Sequence, residues 1–279
     1  MGHSVVATSG TLFIVSTPIG NLGDLSTRAL DTLRTVDAIL AEDTRHTRQL
    51  LSHFDIHTPL ESYHEHNEAA TTPSLVGRLQ IGATLALVSD AGTPLLSDPG
   101  ARLVAAAVAA GIRVVPIPGA SALLAALVGS ALPAERFTFF GFSPRKGPER
   151  RALLDAIVAL RHTAVLYESP SRVAETLEEL AEAGAAERDA VVARELTKQF
   201  EEFRRGTVAA LAAQLRETPP RGEVVILVHG GDAPALDEDA VRAKAAALRA
   251  EGLSAKDVVR VLMKDHGAPR NLAYRLAHD

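Results

Sequence analysis

The sequence contains no cysteine, which excludes disulfides, thiolate catalysis and cysteine-ligated zinc. A covalent nucleophile, if there is one, is Ser, Thr, Lys, His, Tyr or a carboxylate. Tryptophan is also absent, and aromatics make up 4% of a chain that is 47% hydrophobic. The core is therefore built from Ala, Val, Leu and Ile, and recognition by base stacking is not expected. No apolar run approaches the roughly 20 residues of a membrane span. The start, MGHSVVATSGTLFIV, has no basic segment ahead of a long apolar one, so a soluble, cytoplasmic protein with no membrane association is expected. A strong excess of either charge is lacking too. The net charge of −5 over 279 residues argues against indiscriminate coating of nucleic acid and leaves room for a local basic face.

What the chain does have is a regular alternation of short apolar runs and amphipathic segments. TLFIVS (11–16), AILAE (38–42), TLALVS (84–89) and IRVVPI (112–117) read as strands, with helices over 26–36 and 101–110. Strands apolar throughout, separated by helices, predict a parallel sheet covered on both faces. After a helix starting near Ser121 the pattern restarts with FTFFGF (137–142), TAVLYE (163–168), DAVVARE (189–195), FEEFRRGT (200–207) and GEVVILVHG (222–230). The short spacings among the last three predict a partly antiparallel sheet. The expected organisation is α/β: one domain over 1–124, a second over 125–232, and a helical tail over 233–279. GDAPALDEDA (231–240) reads as a linker or helix start. The tail has a Ser254 N-cap and a break at Gly267 to Pro269, with basic residues in excess. A solvated hairpin and an RNA-contacting helix-turn-helix both fit it.

Each strand of the first half ends in an unusual loop: TPIGNLGD (17–24), EDTRHT (42–47), SDAGTPLLSDPG (89–100) and PIPGASA (116–122). In open α/β sheets ligands lie at the carboxyl ends of the strands, so four such loops predict a composite pocket. Neither GxxxxGK[ST] nor GxGxxG occurs, which disfavours pyrophosphate ligands. Asp90 and Asp98 match no Mg²⁺ or Ca²⁺ pattern, and His53, His57, His64 and His66, with Asp43 and His46, have no regular metal-ligand spacing. No metal is expected. What fits is a ligand with a cationic end, an adenine and little negative charge, with Asp90 offering its carboxylate and Asp98 capping the helix at 101–110.

Taken in order, TPIGNLGDLSTRAL, VDAILAEDTR, LALVSDAGTPLLSDPG and IRVVPIPGASALLAAL resemble the tetrapyrrole methylase fold family. EDTRHT, SDAGTPLLSDPG, GFSPRK, YESPSR and ARELTKQFEE are similar to the branch of that family acting on the ribose 2′-hydroxyl of a cytidine in small-subunit ribosomal RNA. The resemblance implies two α/β domains with S-adenosylmethionine in the cleft between them, a homodimer, and ribosomal RNA or the assembled small subunit as partner. Carried over residue by residue, it implies cofactor contacts from Pro18, Asp90, Ala91, Gly92, Leu95, Ser121, Ala122, Tyr167, Glu168, Ala193 and Arg194. A tetrapyrrole C-methyltransferase of the same fold and an inactive RNA-binding assembly factor are the alternatives.

Methyl transfer to a ribose hydroxyl needs a proton acceptor or cationic donors for the developing alkoxide. Candidates are Glu42, Asp43 and Arg45 at the second strand's end, Glu168 in YESPSR, and Arg194 and Lys198 in ARELTK. Glu168 or Asp43 would take the proton, and Arg194 or Lys198 would hold a phosphate or acidify the hydroxyl. PRKGPERR (144–151) reads as a flexible basic loop carrying Arg145, Lys146, Arg150 and Arg151 toward RNA phosphates.

Overall fold

The computed structural model describes residues 10–231, 238–266 and 268–278. The first half runs β1 (Thr11–Val15), α1 (Thr27–Thr35), β2 (Ala38–Ala41), α2 (Thr44–His53), β3 (Leu60–Ser62), α3 (Glu68–Gln80), β4 (Thr84–Val88), α4 (Ala101–Ala109), β5 (Arg113–Ile117) and α5 (Ala122–Gly129). Its strands form one parallel sheet in the order β3-β2-β4-β1-β5. The apolar runs follow from coverage on both faces. Val15, Ile39, Ala41, Ala86 and Val88 pack with Ala29 and Leu33 of α1 and Leu51 of α2. The alternate residues Leu12, Ala38, Leu40, Leu85 and Leu87 pack with Leu75 and Leu79 of α3 and Leu103 of α4.

The second half runs β6 (Phe137–Phe142), α6 (Pro148–Ala159), β7 (Thr163–Glu168), α7 (Val173–Leu180), β8 (Asp189–Arg194), β9 (Glu202–Thr207), α8 (Val208–Glu217) and β10 (Val224–Val228). The sheet order is β6-β7-β10-β8-β9, parallel between β6 and β7 and antiparallel elsewhere. Helices α6, α7 and α8 cover one face through Leu154, Ile157, Leu177 and Leu211. The other face takes α5, whose Leu123, Ala126 and Leu127 sit on Val165, Val191, Val225 and Leu227. The expected boundary at 124/125 thus falls inside α5, and the chain up to Gly230 is one compact unit.

From Gly231 onward a second unit forms. Its helices α9 (Glu238–Ala250), α10 (Ala255–Asp265) and α11 (Arg270–His278) share a core of Val241, Leu248, Val258, Leu262, Leu272 and Leu276. Ser254 caps α10 by accepting from the Asp257 N–H. Residues 1–9, most of the expected linker (232–237) and Gly267 lie outside the described residues.

Two segments read as loops are partly helical. EDTRHT follows β2 and opens α2, with Asp43 as N-cap. PRKGPERR is irregular only to Gly147, because Pro148, with its fixed φ, starts α6.

Candidate functional site

The loops leaving β1, β2, β4 and β5 are tied to one another before they reach any ligand. Thr17 and Gly92 exchange both backbone hydrogen bonds, at 2.8 and 3.0 Å. Gly92 has φ +85, and a Cβ there would lie 3.3 Å from Ile19 Cγ2, so this close crossing requires glycine. The Ser16 and Thr93 hydroxyls are 2.9 Å apart, and Thr93 Oγ1 donates to the Ala120 carbonyl at 3.2 Å. The Asp43 N–H donates to Asp90 Oδ1 at 3.1 Å, joining the β2 end to the β4 loop. The four loops thus make one surface, as their position at the strand ends predicts.

That surface and the ends of β6, β7 and β10 border a cavity of about 400 Å³, within the range of small-molecule sites. Asp90, Ala91, Gly92, Ser121, Ala122, Tyr167 and Glu168 line it, together with Glu42. Ile19, Leu196, Val224 and Val225 add apolar wall, and Phe142 and Leu96 stand at its exposed margin. Five carboxylate residues line the cavity, Glu42, Asp90, Asp98, Glu168 and Glu223, and no Lys, Arg or His does so among the described residues. Glu168 and Glu223 are each paired with a cation behind or beside the wall, so Glu42, Asp90 and Asp98 are the carboxylates that make the cavity complementary to a cationic ligand.

The carboxyls differ. Burial, then the charge of Asp90, raises the pKa of Glu42. Burial, then the charge of Glu42, pushes Asp98 up to about 6, against a hydrogen bond from Ser89. Asp98 is therefore a cavity residue and not the expected helix cap: Gly100 occupies the N-cap of α4 and no side chain caps it. Asp98 binds its proton more tightly in the folded protein than in the unfolded chain. Its ionisation therefore opposes folding, and this contribution to stability is lost as pH rises from about 4 through about 6. Asp98→Asn is expected to raise the urea midpoint at pH 8 and give no gain at pH 4; equal midpoints at pH 8 would contradict this placement.

Two proposed proton acceptors are already engaged. The Asp43 carboxylate takes hydrogen bonds from the Arg45 guanidinium at 2.8 and 3.1 Å and from the Arg45 N–H. These hold its pKa well below the usual carboxylate range, which makes it a poor base. The Glu168 carboxylate is fully buried behind the cavity wall. It pairs with Arg172 at 2.6 Å and Arg150 at 3.6 Å, and accepts from Thr176 Oγ1 and the Ser169 N–H, both at 2.7 Å.

The same network corrects the RNA assignment of Arg150. Its side chain is 5% exposed and bonds Glu179, Ser143 and Thr176. Arg145, Lys146 and Arg151 are exposed.

Four residues expected at the cofactor lie off the cavity. Pro18 is buried and its neighbour Ile19 faces in. Leu95 and Ser97, at φ 74 and 71, turn the loop so that Leu95 packs beside Gly100 and Leu96 lines the cavity. Ala193 is core under α5. Arg194 is spent on Glu202 (3.0 Å) and the Arg221 carbonyl. Lys198 bonds Glu195 (3.0 Å) and the cavity residue Glu223 (3.1 Å). Val224, Val225 and Phe142 were not singled out as site residues from the sequence, although each lies in a predicted strand.

A family model for tetrapyrrole (corrin/porphyrin) methylases matches residues 11–212. The chain is 51% identical to ribosomal RNA small subunit methyltransferase I of Xylella fastidiosa, over 96% of this chain and 99% of that protein. It belongs to the ribosomal RNA small subunit methyltransferase I family. The Synechocystis sp. member is 47% identical, covering 96% and 97% of the two chains. Outside that methyltransferase I family, a uroporphyrin-III C-methyltransferase from Thermus thermophilus, solved with S-adenyl homocysteine, shares the fold. Its TM-score is 0.55 at 18% identity, over 79% of this chain and 97% of that one.

Proposed function

We propose that this chain transfers a methyl group from S-adenosylmethionine to the ribose 2′-hydroxyl of a cytidine in small-subunit ribosomal RNA. The observation that carries this reading is a cavity lined by Glu42, Asp90 and Asp98, none of them in an ion pair, with no cationic side chain in its wall among the described residues. It lies in a chain about half identical to proteins named for that RNA. When bound, S-adenosylmethionine supplies an electrophilic methyl on a cationic sulfur. The residues present fit it: Asp90 answers the positive charge, Ile19, Val224 and Val225 offer an apolar wall for an adenine, and Gly92 lets backbone approach closely.

Glu42 and Asp98 are the proton acceptors in this reading. Both carboxyls line the cavity and both are raised toward neutrality, which suits a base that takes a hydroxyl proton. The apolar wall of Ile19, Leu196, Val224 and Val225 limits water on that side of the site. Arg145 and Lys146, three and four residues after the cavity residue Phe142, and Arg151 in α6 are exposed and suited to phosphate contacts. In this reading the protein acts in the cytoplasm as a homodimer, and α5 leaves Leu124 and Val128 exposed as apolar surface for a second copy. Among the described residues no helix is long and apolar enough to cross a membrane.

The direct test is incubation with methyl-labelled S-adenosylmethionine and small subunits from a strain lacking this modification. Label is expected in RNA; label only in protein, or none, would sink the proposal. Arg145→Ala with Lys146→Ala should weaken RNA binding and lower the slope of log affinity against log salt by about 1 for each phosphate that is no longer neutralised. Cofactor affinity by calorimetry should not change. An unaltered salt slope would show that these two side chains do not meet RNA phosphates.

A further inference from the structure

Phe142 ends β6 and is 62% exposed, although its ring lines the cavity margin. Strand alternation does not put it there. Between the pairs Phe139↔Val165 and Phe142↔Tyr167, β6 advances three residues while β7 advances two. The irregularity includes Gly141, at φ 67, where a Cβ would lie 3.1 Å from Ser97 Oγ. Without it, Phe142 would share the face of Phe140, which packs toward α6 and α7. With it, Phe142 joins Phe139 in edge contact with the Tyr167 ring, at 5.3 and 4.9 Å between centroids. Bulges of this kind re-aim side chains beside active sites.

The following residue is pinned. Ser143 is buried; its Oγ accepts from Arg150 Nη1 at 2.8 Å and its carbonyl from Arg172 Nη2 at 3.2 Å. Arg145 and Lys146, both exposed, follow within about 11 and 15 Å of chain from Phe142. An aromatic ring in water, steadied from one side, with two cations a few residues on, is the arrangement by which proteins hold an unpaired nucleotide: a base on the ring, phosphate on the cations.

We propose that Phe142 is a stacking platform for an unpaired nucleobase of the RNA substrate at the mouth of the cavity, with Arg145 and Lys146 on its flanking phosphates. The inference rests on the proposed RNA methylation and reverses the expectation, drawn from low aromatic content, that stacking plays no part. Arg150 and Arg172 then act as positioning residues through Ser143.

The test compares Phe142→Leu and Phe142→Trp in the full chain. It measures kcat and KM for methyl transfer to small subunits lacking the modification, S-adenosylmethionine affinity by calorimetry, and Tm. The leucine variant should raise the KM for RNA about 5- to 100-fold and the tryptophan variant should restore it, with Tm at the wild-type value and any change in cofactor affinity smaller than the change in KM. An unchanged KM in the leucine variant overturns the inference. So does a loss that tryptophan does not rescue, or a loss of cofactor affinity with RNA KM unmoved. Failure of the wild-type protein to methylate RNA is read separately, before any variant, and overturns the function together with this inference.

Discussion

Glu168→Ala is expected to destabilise the Met1–Gly230 unit by about 3–5 kcal/mol, the usual cost of removing one partner from a buried ion pair. Glu168 is the only carboxylate shared by Arg150 and Arg172 among the described residues, and its side chain is fully buried. Its loss removes acceptors for the Ser169 N–H and Thr176 Oγ1 and leaves the Arg172 guanidinium, whose Nη1 already lacks a partner, without its ion pair. Arg150 keeps Glu179, so the damage centres on the junction of β7 and the following turn. A chain of this size should lose roughly 2–4 °C of Tm per kcal/mol. Urea unfolding of the variant beside wild type checks this; a loss under about 1 kcal/mol would show that solvent readily replaces the network. Because Ser169 and Pro170 line the cavity, activity should fall with stability.

Asp90→Ala is expected to weaken S-adenosylmethionine binding by about 30-fold or more, the lower end of the cost of truncating one member of a hydrogen-bonded charge pair, since Asp90 is half-buried. Asp90 both faces the cavity and accepts from the Asp43 N–H, so alanine removes a charge and a tie between two loops. Asp90→Asn separates the two: its amide oxygen still accepts from Asp43, yet it carries no charge. If electrostatic attraction to the sulfonium dominates, asparagine should lose nearly as much affinity as alanine. If loop anchoring dominates, asparagine should bind nearly as well as wild type. Calorimetry on all three proteins decides this, and wild-type affinity in alanine would remove Asp90 from the cofactor site.

Much of the fold was legible because strands covered on both faces write uninterrupted apolar runs. FTFFGF and TAVLYE match β6 and β7 residue for residue. β3 was missed because this three-residue edge strand, LES, carries no such run. At the site, the four loops were legible from their turn formers, since loops at the strand ends of a parallel sheet converge whatever their details. The details were not legible. A basic run reads the same whether Arg150 faces water or a carboxylate that lies 18 residues further along the chain. Leu95 and Leu96 exchange roles through left-handed backbone that non-glycine residues seldom adopt. Asp98 precedes a helix as caps do, but its carboxyl lies in the cavity and the cap position falls to Gly100. Composition counted the aromatics without saying which one a bulge would turn outward.

The proposed reaction places the transferred methyl group on the ribose 2′-oxygen of a cytidine. The most direct measurement is digestion of small-subunit RNA, labelled by this protein with methyl-labelled S-adenosylmethionine, to nucleosides and their separation by chromatography with mass detection. Label in 2′-O-methylcytidine is the expected result. Label on a nucleobase, or RNA that takes up none, would contradict the account.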